Sequence, residues 1–173
     1  KFTQCIQPSK HKYLKSNITG FYNILELCKT YNITKLFFAS TSSVYGEHNK
    51  LPFNETQNIT KPLQFYSATK ICNEIMAYSY SNLYNIRATG LRFFTVYGPY
   101  GRPDMATYSF IKNIINGKKI IIYNNGDHTR DFTYIDDIVN SINELINIDK
   151  KNIQTSNYEI FNIGNQKRIK LMK

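Results

Sequence analysis

The chain has 173 residues, 42% of them hydrophobic, and carries 22 Lys and Arg against 12 Asp and Glu for a net charge of +10. This length supports one ordinary domain core, the sequence has no run of about 18 apolar residues that would span a membrane, and the basic residues are spread among Asn, Ile and Tyr. That spread reads as a solvated basic surface that forces no nucleic-acid partner, although it favours an anionic substrate. Cys5, Cys28 and Cys72 are odd in number and lack any Cys-x-x-Cys pattern, which argues against a disulfide framework and for reduced thiols in the cytoplasm. His11, His48 and His128 are scattered among polar residues, so no metal site is assigned. The chain begins with Lys and ends soon after an apparent strand, which reads as a fragment of a longer protein.

Residues Lys1 to Lys15 are polar, basic and without period, and are expected to form a poorly ordered approach to the first helix. From Asn17 to Tyr31, the residues Ile18, Phe21, Tyr22, Leu25 and Cys28 recur at intervals of three and four, which predicts an amphipathic helix capped by Ser16 or Asn17 and ended by Asn32. Lys35 to Ser40 is expected as a short buried strand, with the hydroxyls of Thr41, Ser42 and Ser43 at its carboxyl end. A loop with Pro52 and Pro62 follows, then a helix over Tyr66 to Asn85 and a strand over Ala88 to Phe94. Helix, strand, loop, helix, strand is the alternation of a parallel sheet covered by helices.

Beyond Gly98-Pro99 the pattern changes. A helix is expected at Thr107 to Asn116, a short strand at Ile120 to Tyr123, a turn at Asn124-Asn125-Gly126-Asp127 and a strand at Arg130 to Ile135. A helix opened by acidic residues then runs from Asp136 to Ile148, and a last strand from Tyr158 to Ile163. The fold class is therefore α/β: a partial Rossmann-like parallel sheet with helices on its faces, covering 1–94, and a smaller lobe over 95–173 with elements returning to the sheet.

The chemistry concentrates at Tyr66-Ser67-Ala68-Thr69-Lys70. Residues four apart on a helix share a face, so the Lys70 ammonium sits close to the Tyr66 ring. A nearby cation favours phenolate, and a phenol whose pKa falls from its usual value of about 10 can act as a base. Tyr31/Lys35 and Tyr108/Lys112 match the same spacing, so spacing alone decides nothing. Context separates Tyr66, because its helix follows a strand that ends in hydroxyls, where open α/β sheets place their sites.

These residues resemble the extended short-chain dehydrogenase/reductases, and within them the NAD-dependent epimerase/dehydratase family. The likeness runs from Asn17 to Met172. It is carried by Ala39 to Gly46, Tyr66 to Lys70, Gly90 to Pro99, Gly101-Arg102-Pro103-Asp104-Met105 and Arg130 to Asp137, in the family's order. The Gly-Arg-Pro-Asp-Met block is most similar to UDP-glucuronate 4-epimerases. The resemblance implies NAD as cofactor, a UDP-sugar as substrate and a homodimer at full length. It implies Tyr66 as acid/base at the sugar C4 hydroxyl, Lys70 as its electrostatic support and ribose contact, and Thr41 as the bridging hydroxyl. Ser16, Ser40, Tyr66, Lys70, Phe93 and Phe94 would contact cofactor, and Ser42, Ser43, Thr95, Arg102 and Arg130 the substrate.

The alternatives stay open on these residues. Tyr66 can be a core aromatic, Thr41 to Ser43 capping hydroxyls, Arg102 and Arg130 surface ion-pair partners, Phe93 and Phe94 core packing, and Ser16 a helix cap. No glycine-rich dinucleotide turn occurs in the sequence, so the adenosine half of a cofactor site lies outside this chain or has been lost. A 4,6-dehydratase or decarboxylase of the same family, a UDP-glucose 4-epimerase, and a non-catalytic binding or scaffold remnant are the rival readings. Ser42 and Ser43 stand where the dehydratases and decarboxylases carry an acid, which favours simple epimerisation.

Overall fold

The computed structural model describes residues 10–47, 50–127, 129–148 and 156–172. Cys5, His48, His128 and the first nine residues of the expected amino-terminal approach lie outside that set. The contacts divide the chain into two compact units. The larger holds the described residues up to Phe93 together with the strand Tyr158–Ile163, and the smaller holds Phe94–Ile148 and the residues from Gly164 onward.

In the larger unit, strands β1 (Lys35–Thr41), β2 (Arg87–Phe93) and β5 (Tyr158–Ile163) form a parallel sheet in the order β1-β2-β5. The central strand is Arg-Ala-Thr-Gly-Leu-Arg-Phe, and its five inner residues are all buried, as expected of a strand covered on both faces. Gly90 has a packing reason: a Cβ there would lie 2.7 Å from Phe38 Cζ and would collide with Ile160 Cδ1. Phe38, Ala77 and Ala88 form the core, with Phe21, Leu36, Tyr158 and Ile160 packed around them.

Helix α3 (Phe65–Tyr84) lies against this sheet through small residues. Ala77 and Ser81 are fully buried, which lets helix and strands approach closely. The helix stops at Asn85, whose left-handed φ of 54° ends the ladder.

The first helix departs from expectation. Helical backbone is already present at α1 (Lys10–Tyr13), continues through a π-helical stretch at Leu14–Thr19, and runs on as α2 (Gly20–Thr30). Ser16 and Asn17 are therefore inside the helix and cap nothing. The Asn17 side chain is committed elsewhere, its Nδ2 donating to Thr69 Oγ1 at 2.9 Å, and the Asn17 backbone carbonyl accepts from Asn73 Nδ2 at 2.6 Å. A π-helical turn set inside a longer helix is the usual form of this geometry.

The smaller unit is built on a second sheet in the order β3-β4-β6. Strand β3 (Thr95–Tyr97) is parallel to β4 (Thr129–Tyr134), and β6 (Arg168–Lys170) is antiparallel to β4. Helices α4 (Ala106–Ile115) and α5 (Ile135–Asn147) complete it. Asp136 and Asp137 stand in the first turn of α5, where carboxylates favour the helix dipole.

The strand expected at Ile120 to Tyr123 is not formed. Ile121 and Ile122 are exposed, and the chain enters a tight turn in which Asn124 and Asn125 are left-handed and the Asp127 amide donates to the Asn124 carbonyl at 2.9 Å. An apolar run with no strand beside it has no ladder to join. Among the described residues no helix is long and apolar enough to cross a membrane.

Candidate active site

Strand β1 ends in Ala39, Ser40 and Thr41, and helix α3 touches the first two in turn. Lys70 Nζ donates to the Ala39 carbonyl at 3.0 Å, and Ser40 Oγ donates to Glu74 Oε1 at 2.5 Å. Lys70 and Glu74 are one helical turn apart, as are Tyr66 and Lys70, so all three lie along one face of α3. Burial pulls the Lys70 ammonium below the usual lysine pKa.

Thr41 begins the turn that follows. It is extended (φ −152°, ψ 145°), and its Oγ1 accepts the Ser43 amide at 3.2 Å, capping the short 3-10 turn Ser42–Tyr45. The capping expectation for these hydroxyls is thus met at Thr41, and the acceptor role leaves its proton available. Ser42 is half-buried and Ser43 exposed, and α3 packs on this turn. Tyr66 is the second residue of α3. Its carbonyl accepts from Thr69 Oγ1 at 2.7 Å, and its ring lies 5.6 Å from that of Tyr13. Tyr66 therefore belongs to the face that Asn17 fastens to the first helix through Thr69.

Ser40, Arg92 and Asn162 are register partners across the sheet, one residue before the row Thr41, Phe93 and Ile163. Beneath the site this polar row forms a network that extends beyond the sequence motifs. Arg92 Nε and Nη2 hold both oxygens of Glu74 at 3.0 and 2.7 Å, with each residue less than 5% exposed. Arg92 Nη1 donates to Tyr45 Oη at 2.9 Å, and Tyr45 Oη donates to Asn162 Oδ1 at 2.7 Å. The Asn162 amide donates to Glu55 Oε1 at 2.7 Å, and Tyr45 stacks on Phe53 with ring centroids 4.5 Å apart, so the loop before α3 is docked on the sheet end. Burial pushes the Tyr45 phenol up despite Arg92 beside it, so Tyr45 stays protonated. The available signal was a charged Arg92 inside the apolar run Gly90 to Phe94, paired with an acid four residues after Lys70.

The remaining candidates divide between the units. Ser16 is exposed in the π-helical stretch and Phe93 is half-buried at the end of β2, both in the larger unit. Ser40 is buried, with its hydroxyl given to Glu74. Phe94, Thr95, Arg102 and Arg130 belong to the smaller unit. Phe94 packs over Gly164, where an added Cβ would meet its ring at 3.1 Å, and Thr95 opens β3 half-buried. Arg102 is exposed and pairs with Asp104 through two hydrogen bonds, holding the Asp104 carboxyl below the usual carboxylate range. Arg130 is also exposed, with Nη1 donating to the Thr129 carbonyl at 2.9 Å.

A parallel α/β sheet, hydroxyls at a strand end and a Tyr-x-x-x-Lys helix packed against them define an extended short-chain dehydrogenase/reductase fold. The chain belongs to the NAD dependent epimerase/dehydratase family, whose pattern it matches over residues 7–164. It is 49% identical over 176 aligned residues to Protein CapI of Staphylococcus aureus, covering 93% of this chain and 52% of that protein. To UDP-glucuronate 4-epimerase 1 of Arabidopsis thaliana it is 46% identical over 166 residues, covering 88% of this chain and 38% of the relative. Among solved structures it superposes on UDP-glucuronic acid 4-epimerase from Bacillus cereus, in complex with UDP-glucuronic acid and NAD. That match has a TM-score of 0.83 at 36% identity, covering 99% of this chain and 51% of that one. The chain thus spans about half the length of such relatives, or less.

Proposed function

We propose that these residues are part of an NAD-dependent nucleotide-sugar 4-epimerase that interconverts UDP-glucuronate and UDP-galacturonate, with 1–94 from the cofactor domain and 95–173 mainly from the substrate lobe. The observation that carries this reading is the Lys70 ammonium anchored on Ala39, one helical turn from Tyr66, at the end of the strand that delivers Thr41.

The donor set fits the nicotinamide-ribose end of NAD. Lys70 uses one of its three N–H groups on Ala39, and the rest suit a ribose diol. No glycine-rich turn is present in the sequence, so these residues do not supply the pyrophosphate contacts. Held there, NAD would supply reversible hydride acceptance for the sugar C4. Tyr66 takes the proton of the C4 hydroxyl and later gives it back. The Lys70 charge favours the phenolate that this requires. Thr41 passes a hydrogen bond between the hydroxyl and the phenol.

A hexuronate carries a carboxylate that must find donors in the closed site, since an unpaired buried charge costs several kcal/mol. Ser42 and Ser43 are small donors beside Thr41 that leave room for the sugar ring to turn over. Arg102 and Arg130 are the candidates for the diphosphate, Arg102 by exchanging Asp104 for phosphate oxygens. Thr95 would contact the sugar, and Ser16, Phe93 and Phe94 complete the cofactor set together with the backbone of Ser40, whose hydroxyl is given to Glu74. The likeness to UDP-glucuronate 4-epimerases supports the choice of sugar. A second copy would cover the exposed Ile24, Leu27 and Tyr31 of α2 and Ile75 and Tyr78 of α3, giving the homodimer. Free Cys28 and Cys72 suit the cytoplasm.

The test is the specificity constant for UDP-glucuronate against UDP-glucose, in the polypeptide taken at the full length of its relatives. We expect a preference of about tenfold or more for the acid sugar. Ser42→Ala with Ser43→Ala should lower it much more for the acid than for the neutral sugar. Equal constants, or equal losses, would move the assignment to a UDP-glucose 4-epimerase.

A further inference from the structure

The clasp between α3 and β1 has a member that the proposed reaction does not use. Lys70 binds Ala39, and one turn later Glu74 binds Ser40, so the helix is tied to two successive strand residues. One tie alone would let the helix pivot; two at a spacing of about 6 Å along the helix axis fix its register on the strand. The second tie is the stiffer. Both Glu74 oxygens are held by Arg92, which is itself fixed in β2 between Ser40 and Asn162, and the pair is shut off from water.

Movement of α3 along β1 would carry Tyr66 and Lys70 together away from Thr41, because the two are fixed to each other by the helix. We propose that Glu74, with Ser40 and Arg92, is a positioning residue that sets the register of the Tyr66/Lys70 face against Thr41. This deepens the epimerase reading and rests on it. Glu74 touches no reacting atom; it acts through Ser40 and through the turn of helix it shares with Lys70. The same Arg92 reaches Tyr45, which holds Asn162 and stacks on Phe53, so the loop docking and the clasp share one guanidinium. A buried ion pair contributes little net stability compared with an apolar pair of the same shape, but it defines one geometry.

A positioning role and a merely structural one differ in what they move. Misplacement of acid/base groups by a fraction of an ångström lowers the rate of bound substrate, whereas a structural defect lowers the unfolding midpoint. Glu74→Gln strips Arg92 of its counter-charge and risks misfolding, so Ser40→Ala is the informative variant: it cuts the clasp and leaves the ion pair intact. At full length and saturating UDP-sugar we expect kcat to fall about tenfold, KM to stay within about twofold, NAD content to match the parent, and the unfolding midpoint to fall by no more than a few degrees, the share of one buried hydrogen bond. A parental kcat, or a loss that appears in KM or in the midpoint alone, would overturn the proposal. Parallel assay of the parent and of Tyr66→Phe separates the two claims. If the parent epimerises, Tyr66→Phe is inert and Ser40→Ala is normal, only the positioning role falls; if the parent does not epimerise, the reading falls and the positioning role with it.

Discussion

Lys70 works against the fold it sits in. Its ammonium is half-buried, and the loss of water around it lowers its pKa relative to the unfolded chain, where it has the usual value of 10.5. Below the folded-state pKa the group is charged in both states, and the full cost of burying the charge is borne. As pH rises through that value the folded chain releases the proton first, so the cost shrinks and vanishes above the unfolded value. Stability from this residue therefore increases with pH across the interval between the two. Lys70→Met is expected to raise the urea midpoint at neutral pH, to flatten the alkaline rise, and to remove turnover. A variant less stable than the parent at pH 7 would show that the bond to Ala39 outweighs the desolvation.

At the level of elements, the sequence was readable where apolar period and flanking turn residues agree. The helices α3, α4 and α5 and the strands β1, β2, β4 and β5 fall within one or two residues of their predicted bounds, even though α4 has no buried residue and α3 buries mostly small and polar ones. The three-residue strands β3 and β6 are too short to show alternation, and Ile120 to Tyr123 was read as a strand because apolar runs carry no information about partners. The start of the first helix was missed for a different reason. Asn17 looks like a cap in sequence, yet its side chain is claimed by Thr69 on another helix. Gly90 puts the packing of the central strand to a test. Gly90→Val places branched carbons where Phe38 and Ile160 already meet, and a loss of about 1–3 kcal/mol in denaturant unfolding is expected. An unchanged midpoint would mean that the Phe38 and Ile160 side chains can part without cost.

For the whole molecule, the motifs showed which residues meet at the end of β1 but not what holds them there. Thr41, Tyr66 and Lys70 were legible because a strand end and a helix face are local patterns. The Arg92 network was not, since Glu74, Tyr45, Asn162 and Glu55 are brought together only by the sheet. The same division by chain segment governs cofactor affinity. Residues 1–173 hold candidates for the nicotinamide end alone, so calorimetric titration of this chain by itself is expected to give no micromolar NAD affinity. Micromolar binding would mean that the pyrophosphate is held without a glycine-rich turn. The central claim is that the Tyr66 phenol moves the proton. Tyr66→Phe removes one oxygen, and a positioned acid/base is worth roughly a hundred- to ten-thousand-fold in rate. At the full length of its relatives, the variant is predicted to keep NAD and lose C4 epimerisation of UDP-glucuronate by at least about a hundredfold, followed as sugar epimer formed over time; near-parental turnover would contradict the account.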